Sequence, residues 1–139
     1  MAKTGSEIQD DIYQLLRQST LTGTLTGKVY KDGYRPRDSG KEDAIVIFTA
    51  GVPGQIESGI VTVNIFVPDI DPYDNGIWVK DGERCGQIEA EAQKWVDSIT
   101  AGVIPGYIIR LNTTIHTEEE PAIRQHFVVI KLKYKYANS

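Results

Sequence analysis

Phe127-Val128-Val129-Ile130-Lys131-Leu132-Lys133-Tyr134-Lys135-Tyr136 alternates in chemistry from one residue to the next. Val128, Ile130, Leu132, Tyr134 and Tyr136 fall on one side, and Lys131, Lys133 and Lys135 on the other. Side chains of a strand point alternately to the two faces of its sheet, so this segment predicts a strand with one packed face and one wet face. The packed face needs an amphipathic partner. Cys85, Ile88, Ala92, Trp95, Val96 and Ile99 recur at helical spacing and supply one, predicting a helix over residues 83–99. Asp81 is a plausible cap for it, and Gly102, Pro105 and Gly106 end it.

Outward from this pair, Tyr107–His116 reads as a strand and Glu118–Pro121 as the turn into the last strand. Ile60–Val67 is another strand, with Val61, Val63, Ile65 and Val67 on one face and the mixed set Ile60, Thr62, Asn64 and Phe66 on the other. The compact run Ala44–Thr49 is a strand inside the sheet, and Val52–Gly59 reads as a hairpin loop between the two. A short extended segment begins at Gly27–Tyr30, followed by the turn-rich link Gly33–Lys41. Near the start, Ser6 and Gln9 form a capping-box pattern, and Ile8, Ile12, Leu15 and Leu16 predict a helix over 7–18. Thr20–Gly27 ends it. The expected fold is α+β: a small, mostly antiparallel sheet with two helices on one face, in the order α-β-β-β-α-β-β.

The 139 residues suit one domain, 1–139, with its core at about 7–136. An apolar fraction of 40% and a charged fraction of 24% are globular values. The net charge of -4 argues against a general nucleic-acid binder. That charge is unevenly spread. Asp69, Asp71, Asp74, Asp81, Glu83, Glu89 and Glu91 crowd one stretch against only Lys80 and Arg84, whereas Arg124, Lys131, Lys133 and Lys135 follow Glu120 with no acid among them. Such asymmetry orients neighbouring copies in an assembly, or it is ordinary solvated surface. The single Cys85 forms no intramolecular disulfide. No apolar run matches a membrane span, and MAKTGSEIQDD lacks the apolar stretch of a signal peptide, so synthesis in the cytoplasm is expected.

No nucleotide-binding, zinc-protease or serine-hydrolase motif is present. His116 and His126 lie in the closing hairpin, where they either face each other across the turn or stand exposed or hydrogen-bonded; a tetrahedral zinc site needs further ligands, and Cys85 is on a distant helix. The Asp69–Asn75 loop, with Asp69, Asp71 and Asp74, offers oxygens of the kind calcium takes; Asx turns account for the same composition without an ion. Glu89 and Glu91 do not share a helix face, and Glu118, Glu119 and Glu120 crowd a predicted turn tip. Cys85 and Trp95 lie in the apolar stripe and read as core, while Trp78 reads as a staple or lid on the helix. Tyr30, Tyr34 and Arg35-Pro36-Arg37 have the residue types of a nucleic-acid contact, yet Asp32, Asp38, Glu42 and Asp43 flank them. No catalytic, cofactor-binding or metal residue is assigned, and the chain is not expected to be an enzyme.

The whole ordering resembles the tail-terminator and tail-completion (head–tail joining, neck) proteins of long-tailed bacteriophages and prophages. The opening helix Glu7–Ser19 leads to Gly27-Lys28-Val29-Tyr30 and the loop Lys31-Asp32-Gly33-Tyr34-Arg35-Pro36. The strand pair Ala44–Thr49 and Ile60–Val67, the long helix and a closing hairpin follow. The resemblance implies a structural protein of the virion tail or neck that self-associates as a ring, usually a hexamer. That ring terminates the tail tube or joins it to the head connector. No cofactor, no membrane and no sequence-specific nucleic acid are expected, and the resemblance makes the Gly33–Lys41 and Val52–Gly59 loops candidate contacts. A non-catalytic adaptor module, or a metal-binding domain using Asp69–Asn75, is the alternative.

Overall fold

The computed structural model describes residues 2–137; the expected domain also takes in Met1, Asn138 and Ser139, which lie outside the described residues. Two helices open the chain, α1 (Gly5–Arg17) and the single turn α2 (Thr20–Gly23). Strands β1 (Val29–Lys31), β2 (Ala44–Val52) and β3 (Ile56–Pro68) follow, then α3 (Gly82–Ala101). The chain closes with β4 (Tyr107–Leu111), β5 (His116–Glu120), a 3-10 turn at Pro121–Ile123, and β6 (Gln125–Ala137). The fold is α+β, and the sheet is larger than expected, with six strands.

The sheet runs β1-β2-β3-β6-β4, with β5 also paired to β6. All pairings are antiparallel except β1 with β2, which is parallel and sets Val29 opposite Ala44. The sheet is therefore mixed. The parallel strand follows from the long link between Lys31 and Ala44, which carries the chain back instead of turning it in a hairpin.

The predicted loop Val52–Gly59 is shorter than its glycines suggest, because both strands run on until only Pro53–Gln55 remain between them. Gly51 and Gly59 are register partners, and the Tyr134 hydroxyl sits against both. A Cβ at either position would meet that oxygen, so these glycines extend the ladder by leaving room for a core tyrosine.

The predicted strand Tyr107–His116 splits in two. β4 pairs with the far end of β6 (Leu111 with Leu132) and β5 with its beginning (Glu120 with Gln125). Between them the chain leaves the ladder and tucks Ile115 into the core. Glu118–Glu120 are consequently strand, not turn tip. The reversal falls at Pro121–Arg124, with Arg124 in the left-handed region at φ 54°.

The two predicted helices hold, with local corrections, and the extra helical turn α2 lies in the segment Thr20–Gly27, expected only to end the first. The box at α1 is Thr4 with Glu7 rather than Ser6 with Gln9. The Glu7 N–H donates to Thr4 Oγ1 at 3.2 Å, and the Thr4 N–H donates to Glu7 Oε1 at 2.9 Å. Helix α3 is capped by Asp81, which accepts from the Arg84 N–H at 3.1 Å. It buries Cys85, Ile88, Ala92, Trp95, Val96 and Ile99, as the spacing predicts. These meet Ile8, Ile12 and Leu16 of α1 and the inner sheet residues Val61, Val63, Ile65, Val128, Ile130 and Leu132 in one buried cluster.

Arg84 fastens α3 to the link before β2. Its guanidinium donates to both oxygens of Glu42, from Nε at 2.7 Å and from Nη2 at 2.8 Å. Glu42 is buried, and this two-pronged contact raises the Arg84 pKa. Arg84→Gln is expected to cost about 1–3 kcal/mol, since Glu42 stays buried without its cation. Urea unfolding reads this as a lower midpoint at unchanged slope.

Candidate functional site

The residues singled out for chemistry are dispersed. His116 lies opposite Val129, and His126 lies opposite Glu119, so the two histidines do not face each other. His116 is hydrogen-bonded to the Thr114 carbonyl and pairs with Glu118 at 2.7 Å, and these two contacts, in that order, raise its pKa. His126 is hydrogen-bonded to Asp69 at 2.6 Å, which ties the start of β6 to the loop after β3. Cys85 is buried, and burial pushes its thiol pKa up. Glu89 accepts from the Thr117 hydroxyl at 2.6 Å, and Glu91 pairs with Lys94.

Asp71 is committed to its own loop. Its Oδ1 accepts from the Asn75 N–H at 3.1 Å and its Oδ2 from the Gly76 N–H at 2.9 Å, an Asx arrangement. Asp74 and Gly76 take positive φ, at 51° and 77°. No three His, Cys, Asp or Glu side chains are grouped to hold a metal among the described residues.

Arg35 turns inward. Its Nε donates to Asp43 Oδ2 at 2.9 Å, and its Nη2 donates to Gln125 Oε1 at 2.9 Å and to the Ser39 and Lys41 carbonyls. The guanidinium also stacks 4.2 Å from the Phe66 ring centroid. Burial pushes the Asp43 carboxyl pKa up, but hydrogen bonds from Ser39 Oγ and the Lys28 N–H, with the Arg35 cation, outweigh it and hold the value below the usual range. The 33–41 loop is thus fastened to the sheet through Arg35, which is held within the fold, while Arg37 of the same run is exposed.

The helices leave the outer face of the sheet open. The helices cover the inner side of the sheet, and β6 directs Lys131, Lys133 and Lys135 to the outer side. Arg110 of β4 stands directly opposite Lys133, and Ile108 opposite Lys135. Like charges set opposite each other across a ladder repel. Arg110, Lys133 and Lys135 form no ion pair among the described residues. With Ile108, which is 57% exposed, they line a depression of about 180 Å³.

The other end of β6 carries the opposite character. Ile70 and Val79 exchange backbone hydrogen bonds at 2.9 and 2.8 Å, closing the 70–79 segment into a protruding loop. Tyr73 is 82% and Ile77 63% exposed, with Asp71 and Asp74 beside them. Trp78 faces Arg124, whose guanidinium is 5.4 Å from its ring, and so braces the turn before β6 rather than lying as a lid on α3. Periodicity locates the lysine face, but it gives no sign that Ile108 and Arg110 join that face or that Tyr73 and Ile77 stay uncovered. Both facts depend on strand pairing.

No protein-family model matches the chain, and no curated protein is similar to it. Eleven chains of solved structures are similar. One, of a protein known by a sequence number alone, shares 17% identity over 94% of this chain and 96% of that chain, with a TM-score of 0.55, a likeness of fold alone.

Proposed function

We propose that this chain is a structural component of a phage or prophage tail or neck, forming a ring that terminates the tail tube or joins it to the head connector. The observation that carries this reading is the pair of unlike surfaces at opposite ends of β6. One is the acidic, apolar loop 70–79; the other is the basic outer face around Arg110 and Lys133. A head-to-tail contact repeated by rotation needs two unlike patches on one subunit, and it closes into a ring when the rotation closes. The ring and its expected number of six come from the family resemblance, and the role is non-catalytic. The ring is assembled in the host cytoplasm and carried in the virion. The genes on either side of this one test the reading. Neighbours encoding a major tail-tube protein and a tape-measure protein support it, whereas neighbours from a metabolic pathway contradict it.

A further inference from the structure

The outer face groups three cations without an ion pair around the exposed Ile108, and the braced 70–79 loop holds the solvated Tyr73 and Ile77. Each feature lacks what the other has. Residues 69–79 contain Asp69, Asp71 and Asp74 and no basic residue. The depression has Arg110, Lys133 and Lys135 and no acid in its lining.

Resting on the ring reading above, we propose that the 70–79 loop of one copy, led by Tyr73 and Ile77, seats in the Ile108–Arg110–Lys133–Lys135 depression of the next copy. The occupant is a second copy because both halves of the contact lie on this chain where they cannot meet within one molecule. Asp69 is bonded to His126 at the start of β6, and the depression flanks Lys133–Lys135 near its end. At the rise of a strand these are separated by about 25–30 Å. The loop is also held ready for insertion. The Ile70–Val79 backbone pair, the Asp71 carboxylate on two N–H groups and the hydrogen bond from the Ile77 N–H to Asn75 Oδ1 at 3.0 Å fix its shape before contact. A preformed loop loses less entropy on docking. Apolar contact with Ile108 supplies burial, and the carboxylates and cations set register and speed encounter.

Photocrosslinking of the full chain tests the contact. A benzophenone amino acid replaces the exposed Tyr73, and the variant is mixed with isotope-labelled wild type at high concentration and low salt. The expected product joins position 73 of one copy to residues 108–111 or 131–135 of the other. Its yield is expected to fall about tenfold in Arg110→Glu/Lys133→Glu protein, and to recover in part when the loop carries Asp74→Lys. Crosslinks confined to other surfaces, or no crosslink between copies, overturn the proposal. So does retention of duplex DNA by wild type that is lost in Arg110→Glu/Lys133→Glu when copies do not crosslink, which gives the depression to phosphates. A crosslink at the expected place in a protein absent from tails sustains this contact and removes the tail reading. A ring seen in tails whose copies crosslink elsewhere does the reverse.

Discussion

Ala92→Asp is expected to destabilise the protein by about 4 kcal/mol or more, among the largest effects of any single change. Ala92 is fully buried where α3 meets the sheet, among Val, Ile and Leu side chains. A carboxylate there loses its water, and the seam offers no partner charge. At this chain length the melting temperature falls by roughly 15 °C. Ala90, two residues away, is exposed. Ala90→Asp is expected to stay within about 0.5 kcal/mol of the wild type, so the difference reports burial rather than helix propensity. Thermal unfolding by circular dichroism measures both, and equal effects would contradict the packing of α3.

Asp43→Asn is expected to cost about 3 kcal/mol and to change how stability responds to acid. Asp43 is buried and accepts from Arg35, Ser39 and the Lys28 N–H. The amide keeps the size of the side chain but leaves the Arg35 guanidinium without its counter-charge. The sign of the pH effect follows from the depressed folded-state pKa. The unfolded chain takes up the proton at a higher pH than the folded one. The stabilisation is therefore complete above the unfolded value, near 3.8, and is lost as pH falls through the lower folded value. Below about pH 4 the wild type is expected to lose stability more steeply than Asp43→Asn. Urea midpoints between neutral pH and pH 3 test this, and parallel curves would contradict it.

The elements that carry periodicity were legible in the sequence. The stripe from Cys85 to Ile99 and the alternation from Val128 to Tyr136 each determine one buried face, because a shift of either would expose the whole set. What periodicity misses is pairing and exchange between segments. Three residues of β1 carry no pattern, so its parallel place beside Ala44–Val46 depends on the link that follows it. Gly59 reads as a loop residue, yet it pairs with Gly51 in the ladder, with the Tyr134 hydroxyl against both. Arg35 reads as a surface cation among acids; only the fold brings Asp43, Gln125 and Phe66 around it. The candidate surface was half legible. The lysine face and the charge asymmetry are in the sequence, whereas the meeting of Arg110 with Lys133 and the exposure of Tyr73 and Ile77 arise from strand order and loop closure. The proposed contact puts the 70–79 loop in the role that the resemblance gave to Gly33–Lys41, whose Arg35 is held within the fold.

Electron microscopy of tails assembled with this protein tests whether the chain forms a ring at the tail tube or neck, as proposed. A tagged copy locates the chain, and averaging along the tail axis counts its subunits. The expected result is a closed ring, with six subunits by the family resemblance, at the end of the tail tube or between tube and connector. Absence of the protein from the particle, or its presence as scattered single copies without a ring, would contradict the account.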